Sequence, residues 1–285
     1  MSQYQELLDN LTTLKLDQIK EYLPRFLESE KTKELSTIDI LYSLTERELA
    51  FRKQRAEKMN IKTSHFPYEK RMSDFDFDYQ PSVNKRQLLD LSSLHFMERQ
   101  ENILLIGSSG VGKTHLATAI GMEACRQRIS TYFITCNELI QRLTKAYQEN
   151  RHEALIKNYC RYKLLIIDEI GYLPISEVGA NLFFQLITRR YETKSTIITT
   201  NIPLSKWGAV FSDPTLANAI LDRLVHHSQP IKITGRSYRM KDYLLDKDVL
   251  QAPTDEKSKK LGKNQHILTG KKLHLKIGID KLCRC

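Results

Sequence analysis

Residues 107–114 read GSSGVGKT and match the spacing G-x-x-x-x-G-K-[ST]. In this pattern, the backbone N–H groups of a glycine-rich loop bind a polyphosphate, while the lysine and the hydroxyl bind the terminal phosphates and Mg²⁺. A chain of 285 residues matches the fixed positions by accident on the order of one time in a hundred. We therefore predict a nucleotide site with Mg²⁺ at this loop. Its expected residues are Gly107, Ser108, Ser109, Gly110, Val111, Gly112, Lys113, Thr114 and His115.

Two adjacent carboxylates follow an apolar run further along the chain. The segment KLLIIDEIG begins at Lys163, and its four consecutive apolar residues predict a buried parallel strand that delivers Asp168 and Glu169 at its end. Ligands bind at the carboxyl ends of the strands in open α/β sheets, so both acids are candidates for the phosphate site. The alternative is that Asp168 only caps the following turn.

Another polar side chain, that of Asn201, stands at the end of the apolar strand predicted over residues 195–199. At the end of a strand beside the phosphate strand, such a side chain could hydrogen-bond the γ-phosphate or the attacking water. The alternative is that Asn201 only shapes the turn before Pro203.

An arginine flanks the buried stripe of a later helix. Asp213 is followed by a proline, a pair that predicts the first residues of a helix. We expect Leu216, Ile220 and Leu224 to form the buried stripe of this helix, with Arg223 beside it.

Two more arginines, Arg236 and Arg239, follow a last strand predicted over residues 229–234. Just before that strand, His226 and His227 are adjacent in sequence. Adjacent residues of a helix point in different directions, and no further ligand stands at metal spacing, so we predict no metal site there.

Strands and helices alternate through this part of the chain in the manner of βαβ units, which predicts an α/β fold with a parallel sheet. Besides the strands named above, strands are predicted at 102–106 and 131–135. Helices are predicted at 115–126, 138–148 and 177–191.

Residues 1–62 are predicted to form a helical N-terminal domain. Ser36 and Asp39 have the spacing of a capping box, which predicts the start of a long helix. The residues of its first part that we expect to face a core are Ile40, Leu41, Leu44 and Leu49. Its basic end carries Arg55, Lys58 and Lys62 on one face, either to contact a DNA backbone or as a solvated helix end.

Residues 63–80 are predicted to be a linker laid along the next domain. Phe75, Phe77 and Tyr79 alternate as in a strand, but aspartates stand between them and a proline follows, which argues against a central strand. The next domain is predicted over residues 81–250.

The composition describes a globular protein with a basic tail. Of the formal charge of +10, +6 falls in residues 252–285, and the tail from 251 is predicted to be disordered. A basic surface makes non-specific DNA binding plausible. The five cysteines form no C-x-x-C pair and are expected to be reduced thiols. No apolar run is long enough to span a bilayer and no signal peptide is recognised, so we expect a cytoplasmic protein without membrane contact.

The phosphate loop, the LLIIDE strand, the TTN turn, the DRL helix and the GRSYR segment together resemble the AAA+ ATPases. More narrowly, they are similar to the IstB and DnaC group, which comprises helper ATPases of transposable insertion sequences and loaders of the replicative helicase. The phrase IDEIGYLP and the short helical N-terminal region are closest to IstB. This resemblance covers residues 1 to about 248. It implies a P-loop AAA+ core, a parallel sheet flanked by helices, preceded by a small all-helical domain.

The resemblance also implies roles for the residues named above. Lys113 would neutralise the β- and γ-phosphates of ATP, Thr114 and Asp168 would hold Mg²⁺, and Glu169 would polarise the attacking water. Asn201 corresponds to the first sensor of the family, and Arg239 to the second, with Arg236 the weaker candidate. Arg223 would be the arginine finger of the neighbouring protomer.

The function that the resemblance implies is that of an ATP-dependent DNA-binding helper of a transposase. Such a protein assembles as a homo-oligomer on double-stranded target DNA with ATP, recruits the transposase and is reset by hydrolysis, which DNA stimulates. The alternatives are a replicative helicase loader of the DnaC type and a non-catalytic scaffold in which the nucleotide only sets assembly.

Overall fold

The computed structural model describes residues 2–29 and 35–241 of the 285-residue chain. The predicted tail at 251–285, the last residues of the predicted 81–250 domain, and Cys283 and Cys285 lie outside the described residues. The three cysteines within them, Cys125, Cys136 and Cys160, are free thiols, as predicted.

Five parallel strands form one sheet, which confirms the predicted fold class. The strand order is β2-β3-β4-β1-β5, so the strand that leads into the phosphate loop lies between the two strands of the C-terminal part. The strands are β1 (Asn102–Gly107), β2 (Thr131–Thr135), β3 (Leu164–Ile170), β4 (Ser195–Thr200) and β5 (Ser228–Ile233). All five predicted strands are therefore present.

Eleven α-helices are found in the described residues. The first three precede the sheet domain: α1 (Gln3–Thr13), α2 (Asp17–Glu28) and α3 (Thr37–Thr63). The others are α4 (Lys85–Ser92), α5 (His95–Glu98), α6 (Lys113–Arg126), α7 (Cys136–Gln148), α8 (His152–Arg161), α9 (Glu177–Arg190), α10 (Trp207–Val210) and α11 (Pro214–His226). None of the described helices is both long and apolar enough to cross a membrane.

Each face of the sheet carries its own hydrophobic core. Successive residues of a strand point to opposite faces, and the central strands accordingly send Leu165 and Ile167 into one core and Leu164 and Ile166 into the other. The first core is covered by α7, α8, α9 and α11, and the second by α4, α5 and α6. Burial of both faces explains why β1 and β3 each contain four consecutive apolar residues, where a strand buried on one face would have one at every second position.

Helix α11 begins where the sequence predicts it. The Asp213 carboxylate accepts hydrogen bonds from the backbone N–H groups of Thr215 and Leu216 at 2.8 and 3.2 Å. Ile220 and Leu224 are buried as predicted, but Leu216 is only partly buried and Ala217 takes its place in the core.

Helix α3 begins with the predicted capping box, in which Ser36 and Asp39 each bond the other's backbone N–H. Leu44 is buried in a small core with residues of α1 and α2. The prediction that Leu41 and Leu49 face a core is wrong, because they are 58% and 59% exposed. The three-helix core covers only part of the apolar circumference of α3, and Ile40 is partly buried at its margin.

A buried glutamate joins α2 to α3. Glu48 is 4% exposed, and its carboxylate accepts hydrogen bonds from the backbone N–H groups of Gln18 and Ile19 at 3.0 and 3.3 Å. These are first-turn N–H groups of α2, whose own N-cap residue, Leu16, has no side-chain acceptor. Arg52 donates to the other carboxylate oxygen at 2.8 Å, so the negative charge is paired.

The second half of α3 packs against α6. Glu57 forms an ion pair with Arg126 at 3.6 Å, and Asn60 and the following Ser64 contact Cys125. The segment after α3 forms no strand and runs along the sheet domain, where Phe75 is buried in the core under α6. Within this segment Met72–Asp74 form a short 3-10 helix.

Candidate nucleotide-binding site

The phosphate loop connects β1 to α6 through two glycines in the left-handed region. Gly110 has φ +81° and Gly112 has φ +99°, conformations that residues with a Cβ rarely adopt. A Cβ on Gly112 would also lie 2.6 Å from Cε2 of Phe75. The chain therefore enters α6 at Lys113 in a tight turn, which leaves first-turn N–H groups without partners in the helix at its positive end.

Lys113 lies against the loop that precedes it. Its ammonium donates hydrogen bonds to the backbone carbonyls of Gly107 and Ser108 at 2.8 and 2.7 Å. An ammonium has three donors, so one remains for a phosphate oxygen. Burial lowers the pKa of Lys113, while the charges of Asp168 and Glu169 oppose this shift.

Thr114 and Asp168 converge from different elements. The Thr114 hydroxyl lies 3.1 and 3.0 Å from the two carboxylate oxygens of Asp168. Neighbouring ligands of an octahedral Mg²⁺ with bonds of 2.1 Å are about 3.0 Å apart, so this pair fits two positions of one magnesium shell. Burial raises the pKa of Asp168, and hydrogen bonds from Thr199 and Thr114 counteract it. A hard cation would favour the charged carboxylate.

Glu169 faces the opposite way from Asp168. Its backbone has φ +63°, a left-handed conformation, and its side chain is exposed while Asp168 is buried. The Glu169 carboxylate has no hydrogen-bond or ion-pair partner in the part of the chain that the structure describes. Its oxygens are therefore available to a molecule bound in the cavity.

A cavity of about 620 Å³ lies over the loop, within the size range of small-molecule sites. It brings together most of the residues that the sequence predicts for the site. Those that line it are Ser109, Gly110, Val111, Gly112, Lys113, Thr114, His115, Glu169, Asn201 and Arg239. Gly107, Ser108 and Asp168 are not among the residues that line it, and the backbone carbonyl of Arg236 accepts a hydrogen bond from Gln80.

Another part of the cavity wall comes from two segments that are far apart in sequence. Tyr68, Asp76 and Gln80 precede the sheet, and Tyr238 follows it, yet all line the cavity. Three contacts hold the segments together: Tyr79 donates to the carbonyl of Ser237 at 3.2 Å, Gln80 to that of Arg236 at 2.8 Å, and Lys241 to Asp76 at 2.7 Å. Sequence reasoning missed this wall because no local pattern links residue 76 to residue 241.

His115 connects the same wall to α6. A nitrogen of its ring lies 3.1 Å from the carbonyl oxygen of Arg71, and its ring meets that of Phe75 edge-on. Burial lowers the pKa of His115, which favours the neutral imidazole.

Arg223 does not line this cavity. Its guanidinium donates to the carbonyl of Ala219 at 2.9 Å and stacks 4.7 Å from the ring centre of Phe184. No ion pair between Arg223 and an acid is found among the described residues. Its guanidinium is therefore not engaged at the phosphate end of its own chain.

Arg55, Lys58 and Lys62 are exposed on α3. None of the three forms an ion pair within the described ranges 2–29 and 35–241. We call these three residues the basic face of α3.

The prediction that His226 and His227 point apart is wrong. Their ring centres are 4.1 Å apart because His227 leaves the helix with φ −117° and ψ 72°. Ligand atoms of both histidines and of Glu192 lie within 4.8 Å of one another. All three residues are exposed, and each ring already has a protein partner: His226 bonds Tyr191 at 2.7 Å and His227 bonds Glu192 at 3.2 Å.

The chain is similar to known proteins over most of its length. The family model described as IstB-like ATP binding protein matches residues 9–245. A relative from Bacillus thuringiensis subsp. berliner, named as an ATP-binding protein of insertion sequence IS232, is 52% identical over 240 residues, which are 84% of this chain and 96% of the relative. Another from Pseudomonas aeruginosa, named for insertion sequence IS21, is 41% identical over 81% of this chain and 88% of its own length.

Solved structures agree on the fold. The crystal structure of DnaI has a TM-score of 0.50 at 22% identity and covers 58% of this chain and 92% of its own. AMPPCP-bound DnaA from Aquifex aeolicus has a TM-score of 0.51 at 17% identity and covers 68% of this chain and 58% of its own. These likenesses establish the AAA+ fold, whereas the sequence matches establish the family. The chain belongs to the IstB-like ATP-binding proteins, the ATP-binding family of insertion sequences.

Proposed function

We propose that this protein is an ATP-dependent DNA-binding helper of a transposase. It assembles as a homo-oligomer on double-stranded target DNA when ATP is bound, recruits the transposase, and is reset by ATP hydrolysis. The observation that carries the proposal is the convergence of Lys113, Thr114, Asp168 and Glu169 at one end of the cavity, in a chain of the insertion-sequence family.

ATP lies with its phosphates on the loop. The free N–H groups of the first turn of α6 and the ammonium of Lys113 bind the β- and γ-phosphates. Thr114 and Asp168 hold Mg²⁺, which when bound neutralises the negative charge of the phosphate oxygens. The Thr114–Asp168 spacing of 3.0 to 3.1 Å supports this assignment.

Hydrolysis uses Glu169 as the general base. A water molecule attacks the γ-phosphorus, the bond to the bridging oxygen of ADP breaks, and the water proton passes to Glu169. The exposed carboxylate of Glu169 in the cavity wall supports this role. Asn201 lies at the end of β4, beside β1, and orients the water or the γ-phosphate.

Arginines complete the site. Arg239 lines the cavity and contacts the nucleotide of its own chain. Arg223 lies outside that cavity and reaches the γ-phosphate bound by a neighbouring protomer, so hydrolysis needs an oligomer.

The basic face of α3 contacts the DNA backbone. Arg55, Lys58 and Lys62 are exposed, share one side of the helix and have no acidic partner among the described residues, so their charge is available for phosphates. The helical domain at 1–62 then has the DNA or the transposase as its partner, and the domain at 81–250 is the ATPase. Both partners place the working protein in the cytoplasm.

A replicative helicase loader would use the same chemistry with a different partner. Relatives named for insertion sequences, at 52% and 41% identity, favour the transposase helper. The gene neighbourhood discriminates between the two. A transposase gene immediately upstream with terminal repeats supports the helper, whereas replication genes support the loader.

Electron microscopy of the protein with duplex DNA, once with ATP and once with ADP, tests assembly. We expect ordered oligomers on DNA with ATP alone, together with phosphate release that DNA accelerates. Equal assembly with both nucleotides contradicts the ATP-dependent cycle, and assembly without any phosphate release indicates a non-catalytic scaffold.

A further inference from the structure

Thr199 bonds two consecutive residues of β3 with one hydroxyl. Its side chain is fully buried in β4, and its Oγ1 donates to Oδ1 of Asp168 at 2.5 Å. The same oxygen accepts a hydrogen bond from the backbone N–H of Glu169 at 2.9 Å. Thr199 also lines the cavity, next to Glu169 and Asn201.

The two residues that Thr199 holds form a bulge in β3. Ile167 pairs with Ile198, and Ile170 pairs with Thr200, so Asp168 and Glu169 together stand opposite Thr199. Two residues opposite one is the count of a β-bulge, a feature that re-aims side chains beside active sites. At this bulge Asp168 is buried and the side chain of Glu169 is exposed.

The bulge has a conformational cost that a partner must offset. Glu169 has φ +63°, and left-handed backbone is strained at a residue other than glycine. Its N–H finds its acceptor in the side chain of Thr199. Without that hydroxyl, the N–H of Glu169 and one oxygen of the buried Asp168 would each lose a hydrogen bond.

We propose that Thr199 is a positioning residue that sets the geometry of the Asp168–Glu169 pair and thereby the rate of hydrolysis. The proposal rests on the ATPase function proposed above. Thr199 lies in β4 and not in the phosphate loop, so it acts on the catalytic step and leaves ATP binding largely to Lys113 and the loop. It thus has a role separate from that of Asn201 two residues later.

Three variants test this role. Thr199→Val keeps the shape of the side chain and removes both hydrogen bonds, whereas Thr199→Ser keeps the hydroxyl. Thr196→Val is the matched control: it removes another buried hydroxyl of β4, which accepts a hydrogen bond from Arg190 at 3.1 Å and contacts neither acid. Steady-state ATPase rates with DNA give kcat and KM, and a fluorescent ATP analogue gives the nucleotide affinity.

For Thr199→Val we expect kcat to fall about 100-fold, since a misplacement of about 1 Å has effects of that size, with analogue affinity within a few-fold of the wild type. Thr199→Ser should recover most of the rate, and Thr196→Val should keep it. In a Glu169→Gln background, Thr199→Val should add little further loss, because both changes disable the same step.

Hydrogen exchange gives a readout independent of activity. The amide of Glu169 should exchange faster in Thr199→Val than in the wild type, and the other amides of β3 should be unchanged. Unchanged exchange, or a valine variant with wild-type kcat, overturns the role of Thr199, as does a serine variant as slow as valine. A wild-type protein that hydrolyses no ATP overturns the proposed function itself, and with it this inference, so the two failures are distinguished.

Discussion

The phosphate end of the cavity and the basic face of α3 are both polar, yet they are built in opposite ways. Asp168 is buried and receives hydrogen bonds from two threonines at 2.5 to 3.1 Å. Arg55, Lys58 and Lys62 are exposed, and no ion pair orders them in the described part of the chain. Chemistry on a phosphorus atom requires fixed positions, whereas attraction to a DNA backbone requires only charge near a surface. A single substitution at the phosphate end should therefore change the ATPase rate by a large factor. Substitutions on the basic face should each lower DNA affinity by a small, additive amount.

The largest effect is expected for Arg223→Ala. An arginine that stabilises the transferring phosphoryl group contributes about 10³ to 10⁵ in rate, so DNA-stimulated ATPase should fall by that factor. The alternative is that Arg223 is an ordinary surface arginine, whose ion pairs contribute less than about 1 kcal/mol to stability. Phosphate release at saturating ATP and DNA measures the difference.

Mixing tests whether Arg223 acts on a neighbouring protomer. Arg223→Ala retains a complete pocket, and Lys113→Ala retains the arginine, so each should be nearly inactive alone. Some interfaces in the mixture combine the intact pocket of one chain with the intact arginine of another, and part of the rate should return. If no activity returns although mixed assembly is demonstrated independently, Arg223 does not act between chains.

Glu169→Gln should separate hydrolysis from binding. A general base contributes about 10² to 10⁴ in rate, and the amide cannot accept the water proton, so turnover should stop while ATP binding and assembly on DNA remain. Lys113→Ala should lose both binding and turnover, because it removes the charge that binds the phosphates. Nucleotide titrations of the two variants measure the contrast, and equal affinities would show that the two roles are not separate.

Glu48→Ala tests whether the buried Glu48 carboxylate stabilises the N-terminal helices by capping α2. The substitution leaves two first-turn N–H groups of α2 without their acceptor, which should lower the free energy of unfolding by about 1–3 kcal/mol. Glu46→Ala, at an exposed position of the same helix, is the matched control and should change little. Urea unfolding followed by circular dichroism measures both, and equal effects would contradict a capping role for Glu48.

The smallest effect is expected at the basic face. Arg55→Ala with Lys58→Ala removes two phosphate contacts, so the log–log salt slope should fall by about 0.9 for each, equally for all DNA sequences. Lys145→Ala with Lys157→Ala removes the same charge from exposed positions of the sheet domain and serves as the control. Fluorescence anisotropy across a salt series measures the slopes.

Deletion of residues 252–285 tests the other source of positive charge, the +6 of the tail. If that deletion abolishes DNA binding and the α3 variant retains the wild-type slope, the basic face is only a solvated helix end.

The sequence was informative where one local pattern decides the structure. Apolar runs of four residues identify β1 and β3, and the phosphate loop identifies the start of α6, because each depends on neighbours in the chain. Asp168 and Glu169 could be assigned to the end of a strand for the same reason. The burial of Asp168 and the exposure of Glu169 could not be predicted, since the bulge depends on Thr199 of another strand. Thr199 could have been noticed as the residue two before Asn201, on the same side of β4.

The missed features depend on partners that the sequence does not identify. Periodicity places Leu41 and Leu49 among the apolar positions of α3, but it does not show that α1 and α2 leave them exposed. Similarly, the whole sheet domain separates Asp76 from Lys241 in sequence, and only the folding of that domain brings the two side chains into contact. Such contacts follow from the completed fold.

Helix α3 has a mechanical consequence for the N-terminal helices. Its 27 residues form one continuous rod about 40 Å long, anchored at its second half to α6, the helix that the phosphate loop opens. The part of the rod before the anchor, from Thr37 to Glu57, is about 30 Å long, so a tilt of about 5° at the anchor would displace its far end by about 2.6 Å. The basic face lies beside the anchor and would move little, whereas the first half of α3 carries α1 and α2 with it. A small rotation of α6 would therefore be magnified into a displacement of the N-terminal helices.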